Sequence, residues 1–245
     1  MKHKNIFYFA LFFIASFSVA AITPQDILEK MEENQTFSTY KAKGKMIIED
    51  RFGKREKTFI VYARGEGETL LEFTSLDEEG QKILRTKDEI YLYYPDAEEL
   101  IRLQGSALRD SIAGSDISYE DLTGGKDLLD KFNATIEGEE EYNGRTCYIL
   151  SLKAKKNNVA YPMQKILVDK ERFVGLKAQY FALSGKLLKE VEIKEIKEIK
   201  GHYIPTHYIF RDVLKKESST EFFSSDIEVD IKLDDDLFSL EELTW

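Results

Sequence analysis

Beyond Phe37 the apolar residues of this chain recur at every second position, in short runs that each end on a cluster of turn-forming residues. Met46 and Ile48 form one run, Phe59, Val61 and Ala63 the next, and Leu71 and Phe73 a third. Between and after them stand Arg51-Phe52-Gly53-Lys54, Arg64-Gly65-Glu66-Gly67 and Asp77-Glu78-Glu79-Gly80. A period of two belongs to a half-buried strand, whose side chains point alternately to two faces. Turns this short join antiparallel neighbours only, because a parallel return needs a crossover of a dozen residues or more. The first half is therefore an antiparallel meander, continued by 82–85, 90–94 and 100–103.

A break follows at 105–131, which holds Gly105, Gly114, Gly124 and Gly125 and short helix-like pieces at 106–112 and 118–122. Ser118-Tyr119-Glu120-Asp121 has the form of a helix N-cap with an acid three positions on. Strands are then expected at 134–140, 145–153 across Tyr142-Asn143-Gly144, 163–169, 173–183, 187–199 across Ser184-Gly185, 202–213 and 217–231. Asp234 to Leu240 reads as a short closing turn. In Val191, Ile193, Ile196 and Ile199 the spacing slips from two to three, which fits a bulged strand or a helix; the flanking hairpin signals favour the strand. The sum is a mainly β fold, one curved antiparallel sheet or incomplete barrel of about 11–13 strands. No internal repeat and no linker rich in Pro or Ser divides it, so residues 22–245 are expected to form a single domain.

The N-terminus reads differently. Met1-Lys2-His3-Lys4-Asn5 is basic, residues 6–17 are almost wholly apolar, and Ser18-Val19-Ala20-Ala21 supplies small residues. A membrane span needs about 20 apolar residues, so this shorter run is expected to be a secretory signal covering residues 1–21, the alternative being an uncleaved anchor. No cysteine follows it, so the pattern for acyl anchoring is missing. Thr23 to Asn34 is expected to be a helix, with Thr23 as cap, Pro24 at its first position and Ile27, Leu28 and Met31 at helical spacing. The expected location is periplasmic or secreted.

Charge and motif content narrow the chemistry. The chain carries 35 Lys and Arg against 45 Asp and Glu, a net charge of −10. Losing residues 1–21, with two Lys and no acid, would make it more negative still. That balance argues against a nucleic-acid partner and sets a general repulsion from anionic membrane surfaces. Cys147 is the single cysteine; within a strand, without a helix start or basic pair beside it, it reads as a small buried residue. His202 and His207 stand an odd number of residues apart and so point to opposite faces of a regular strand, which speaks against a shared metal. Ser38-Thr39-Tyr40-Lys41 matches S-x-x-K without its companion motifs. Asp226, Glu228 and Asp230 read as a solvated strand face, and 234–236 lack the features of a calcium loop. No catalytic set, cofactor or metal is expected, although a carboxylate pair assembled in space leaves a secreted hydrolase open. What remains is aromatic: Tyr91, Tyr93 and Tyr94 before Pro95, and Phe173, Tyr180, Phe181, Tyr203, Tyr208, Phe210, Phe222 and Phe223 later. As a set they suit a barrel whose interior its own side chains do not entirely fill.

Tyr94-Pro95, Ile101-Arg102-Leu103 and Gly114-Ser115-Asp116-Ile117-Ser118-Tyr119-Glu120-Asp121-Leu122 resemble a segment of the outer-membrane lipoprotein-sorting (LolA-like) family. Val168-Asp169-Lys170-Glu171 through Tyr180, and Ser184-Gly185-Lys186-Leu187-Leu188-Lys189, are similar to it too. The resemblance implies an incomplete barrel with helices covering its mouth and a cavity for the acyl chains of a lipoprotein or lipid. It also implies a periplasmic shuttle, loaded at an inner-membrane ATP-driven release complex and unloaded at an outer-membrane acceptor. Candidate lining residues are Tyr91, Tyr93, Ile117, Tyr119 and Leu122, while the polar residues of 114–122 read as capping and turn chemistry. The same fold type serves envelope-stress sensors that bind an anti-sigma factor, which gives a regulatory binding module as the alternative.

Overall fold

A computed structural model describes residues 21–65, 67–87, 89–123, 128–156 and 159–244. The expected signal sequence lies outside them, apart from Ala21. The chain opens with helix α1 (Pro24–Glu33), followed by strands β1 (Thr39–Asp50), β2 (Gly53–Arg64), β3 (Glu68–Phe73), β4 (Lys82–Arg85), β5 (Ile90–Tyr94) and β6 (Glu99–Leu103). A crossing segment of 3-10 turns, Gly105–Arg109, Ile112–Gly114 and Tyr119–Thr123, leads to the short helix α2 (Leu128–Lys131). Then come β7 (Phe132–Tyr142), β8 (Arg145–Ala154), β9 (Met163–Asp169), β10 (Gly175–Phe181), β11 (Leu187–Ile199), β12 (His202–Asp212) and β13 (Ser219–Val229). A 3-10 turn at Asp235–Phe238 and helix α3 (Leu240–Leu243) close the chain.

All thirteen strands form one antiparallel, curved and unclosed sheet, in the order β6-β5-β4-β3-β2-β1-β13-β12-β11-β10-β9-β8-β7. Each neighbour in that order is also a neighbour in sequence, with one exception. The β1–β13 pair, running from Tyr40↔Val229 to Glu49↔Ser219, is the seam that joins two meanders. The expected strands 163–169 and 187–199 have the observed bounds of β9 and β11. The slip in β11 is a bulge, with the register to β12 shifting on either side of Glu195.

Alternation decides what each face buries. On the inner face of the first meander Met46, Ile48, Phe59, Leu71, Phe73 and Ile83 pack beneath Ile112, Ile117 and Tyr119 of the crossing segment. On the inner face of the second, Phe132, Leu150, Leu152, Ile166 and Val168 pack beneath Ile27, Leu28 and Met31 of α1 and Leu128 of α2. The amphipathic α1 is set by a capping box: Thr23 Oγ1 accepts from the Asp26 N–H at 3.1 Å, and Asp26 accepts from the Thr23 N–H at 2.8 Å. The outer face of β3 and β4 is buried too. Leu70 and Leu84 lie under Phe238 and Leu243, so the closing segment is a cover rather than a simple turn. No described helix is long and apolar enough to cross a membrane.

Two local constraints stand out. Gly44 in β1 lies under the Phe59 ring of β2, where an added Cβ would fall 2.0 Å from Phe59 Cε2. At the β9–β10 turn, Asp169 is buried, accepting from Arg145 Nη2 at 3.1 Å and from the N–H groups of Glu171 and Arg172 at 2.9 and 3.1 Å. Burial alone would raise the Asp169 carboxyl, but these hydrogen bonds outweigh it and hold the group below the ordinary aspartate value.

Gly44→Ala is therefore expected to displace the Phe59 ring and lower stability by about 1–3 kcal/mol, the range for overpacking, read as a lower urea midpoint. Because the folded-state pKa of Asp169 is depressed, its contribution is present above the unfolded value of about 3.9 and is lost as pH falls through the folded one. Asp169→Asn should thus lower the urea midpoint clearly at neutral pH, and the gap to the parent chain should narrow in acid.

Candidate binding cavity

The two covers leave part of the inner face bare. The crossing segment fills the first meander and α1 the edge of the second, and between them they cover the strip formed by β10, β11 and β12 only along its margins. A cavity of about 420 Å³ lies there, within the size range of small-molecule sites. Its floor is Ile166, Ala178, Tyr180, Val191, Tyr208 and Phe210. Met31 and Gln35 wall it from the α1 side, Leu128 and Lys131 from α2, and Glu120, Asp121 and Val159–Tyr161 opposite. Small residues of β10 line the space: Ala178, and Gly175, where an added Cβ would fall 3.3 Å from Ile166 Cγ2 and 3.8 Å from Met31 Cε.

The polar groups at this site are largely spent on one another. Lys189 of β11, 4% exposed, is paired with Asp121. The Tyr161 hydroxyl donates to the other Asp121 oxygen at 3.0 Å, and the Ser118 N–H donates to Asp121 at 2.7 Å. The Tyr161 ring lies 4.9 Å from that of Tyr180, with the Lys189 ammonium 5.6 Å from its centre. Burial pushes the phenols of Tyr161, Tyr180 and Tyr208 well above the usual tyrosine value, so they stay neutral. Burial also raises the Glu120 carboxyl. The result is an apolar, aromatic floor beside an internally compensated charge cluster, an arrangement suited to holding an apolar ligand rather than to activating a nucleophile.

The crossing segment is held by a second acid. Asp116, 2% exposed, accepts from Thr220 Oγ1 and Ser218 Oγ, each at 2.8 Å, and from the Asp212 N–H at 3.1 Å. Lys215 reaches in from the same hairpin to Ser111 Oγ at 2.7 Å and to the Ser115 carbonyl. Ser118 and Asp121 cap each other reciprocally, the Asp121 N–H lying 3.3 Å from Ser118 Oγ. The polar residues of 114–122 are thus capping and anchoring groups, tied to β11, β12 and β13.

None of the five residues singled out in the sequence lies among those lining the cavity over β10, β11 and β12. Ile117 and Tyr119 are buried in the first-meander core, with Leu122 packed against it. Tyr91 and Tyr93 pack with Leu70 and Leu84 in the outer cluster beneath the closing segment. Tyr93 and Tyr119 also border a smaller cavity of about 310 Å³. Tyr180, Tyr208 and Phe210 were visible as strand aromatics, whereas Tyr161 lies outside any strand and carried no periodic signal. Cys147 is fully buried in an outer cluster with Leu167 and Leu176, and burial pushes its thiol up. His202 Nδ1 lies 3.1 Å from the Glu33 carbonyl, and His207 lies 2.8 Å from Glu221 and stacks on Phe223.

Removing one partner of a buried pair leaves the other uncompensated. Lys189→Met is accordingly expected to lower stability by about 3–5 kcal/mol, with Lys189→Met/Asp121→Asn recovering part of the loss, both read from urea unfolding.

Comparison with known proteins matches this geometry to solved folds. A DUF1329 family protein from Desulfovibrio piger superposes with a TM-score of 0.83 at 25% identity, over 89% of this chain and 96% of that one. A putative outer membrane lipoprotein-sorting protein domain from Vibrio parahaemolyticus gives 0.80 at 21% identity, over 89% and 98%. A LolA superfamily protein from Nitrosomonas europaea gives 0.75 at 22% identity, over 91% and 100%. In sequence, an uncharacterized protein of Methanocaldococcus jannaschii is 41% identical over 54 residues, which is 22% of this chain and spans only 16% of that protein. A protein-family model described as "-like: Uncharacterized protein" matches residues 65–245. The chain has the LolA-like fold and belongs to the family, described as uncharacterized, whose model spans those residues.

Proposed function

We propose that this protein is a non-enzymatic carrier that holds the acyl chains of a lipoprotein or lipid in the inner-face cavity. The observation that carries the reading is that cavity: an aromatic and aliphatic floor of about 420 Å³ beside charges that neutralise one another. Each methylene removed from water contributes about 0.8 kcal/mol, so even part of an acyl chain is worth sheltering across an aqueous compartment. A floor with few unspent polar groups makes the holding reversible. In this reading residues 1–21 are a cleaved signal, residues 22–245 form one half-barrel domain in the periplasm, and cargo passes from an inner-membrane ATP-driven release complex to an outer-membrane acceptor. The likeness to a lipoprotein-sorting domain and to a LolA superfamily protein supports the binding class.

Native mass spectrometry of detergent-free protein, followed by lipid extraction, tests it. A bound mass yielding fatty acids or an acylated peptide is expected. A clean apo mass, with no uptake when acylated peptide or phospholipid is offered, overturns the reading. Ala178→Trp, which fills the floor of the cavity, is expected to reduce uptake of a fluorescent acyl probe about tenfold or more while the chain stays folded.

A further inference from the structure

Seven large apolar side chains are exposed among the described residues, and five of them, Phe52, Leu76, Leu183, Val213 and Leu214, lie in turns at one end of the sheet. The register places them there. Glu49 pairs with Ser219 and Lys189 with Asp212, so the turns β1–β2, β12–β13 and β10–β11 leave the sheet at the same end. In the strand order these are three consecutive hairpins. Strands lie about 4.8 Å apart, so successive hairpins stand about 10 Å apart. Their sequences share a form, an exposed apolar residue beside cations: Arg51-Phe52-Gly53-Lys54, Leu183-Ser184-Gly185-Lys186 and Val213-Leu214-Lys215-Lys216.

The three tips are set by short-range bonds. The Phe52 N–H donates to Asp50 at 2.8 Å, the Gly185 N–H to the Ala182 carbonyl at 2.9 Å, and the Leu214 N–H to Asp212 at 2.9 Å. Phe52 is 77% exposed, with the Arg51 guanidinium 4.6 Å from its ring centre, and Leu183 and Leu214 are 62% and 56% exposed. Charge is distributed unevenly as well. Residues 51–54, 183–186 and 213–218 hold five cations and one carboxylate, Glu217, in a chain whose net charge is −10. Lys215 turns inward to the crossing segment, while Arg51, Lys54, Lys186 and Lys216 are exposed.

We infer that this row of hairpin tips is a docking edge for an anionic lipid surface, with Phe52, Leu183, Val213 and Leu214 entering the headgroup layer and the four exposed cations resting on its charge. Apolar tips flanked by basic residues are the chemistry of interfacial binding. Acids elsewhere, including Asp77, Glu78 and Glu79 beside Leu76 at the same end, are repelled by the same surface, which favours an approach tilted toward the three basic tips. This edge is separate from the cavity floor and does not rest on what the cavity holds.

Co-sedimentation of the full chain with phosphatidylcholine–phosphatidylglycerol vesicles and with pure phosphatidylcholine vesicles tests the edge. Binding to the anionic vesicles is expected to be about tenfold stronger or more, and to weaken as salt is raised. Phe52→Ser/Leu183→Ser/Leu214→Ser and, separately, Lys54→Glu/Lys186→Glu/Lys216→Glu should each reduce it about tenfold, with an unchanged thermal midpoint because all six positions are exposed. Both variants should still take up an acyl probe, and Ala178→Trp should still sediment, so loss of docking and loss of cargo binding read out separately. No sedimentation of the parent chain, equal binding to both vesicle types, or full binding by the tip variants would overturn the docking edge; in the first case the tips would be left to a protein partner.

Discussion

Strands β6 and β7 follow one another in the chain yet form the two opposite edges of the sheet, and this single constraint organises everything on the inner face. The residues between them have to travel across the sheet from one edge to the other, so the crossing segment is obligatory as a cover. A purely apolar strap would pack but would have no fixed register on the strands beneath it. Two acids supply the register. Asp116 takes hydrogen bonds from the end of β12 and the start of β13, and Asp121 takes the Lys189 ammonium from β11. Buried polar contacts of this kind are demanding, since each group must be satisfied, and for that reason they locate a segment sharply.

The cavity is the remainder of that arrangement. A strap pinned over the first meander and a helix packed at the second edge cannot both cover the strip between them. Small side chains in β10 keep the gap from being filled from below. The volume is thus a product of topology and of two or three small residues, and a few larger side chains would be enough to abolish it. Of the charged residues nearby, Lys189 and Asp121 are committed to fixing the strap.

Much of this was legible in the sequence, and the part that was not has a physical reason. Alternating apolar positions and short glycine turns placed β9 and β11 at their observed bounds, and the slip at Ile193–Ile196 announced the bulge. Parity, however, separates two faces without naming them. In β3 and β4 neighbouring residues, Leu70 with Leu71 and Ile83 with Leu84, are all buried, so nothing in the pattern tells which side faces the cavity. Tyr91 and Tyr93 fell on the side that the closing segment covers. The partners of Asp116 lie about a hundred residues away along the chain, and Tyr161 belongs to no periodic run. Contacts of that range leave no local trace.

The β1–β13 seam has a kinetic consequence. Every other strand pair joins sequence neighbours and can form as soon as its own hairpin has been made, which is the low contact-order part of the fold. The seam alone links residues nearly two hundred positions apart, such as Tyr40 and Val229. Until the last strand has arrived, β1 presents an unpaired edge and the first meander is half a sheet. A chain growing from its N-terminus therefore completes its centre last, and its longest unpaired edge stays open throughout synthesis, ready to pair with any other strand it meets.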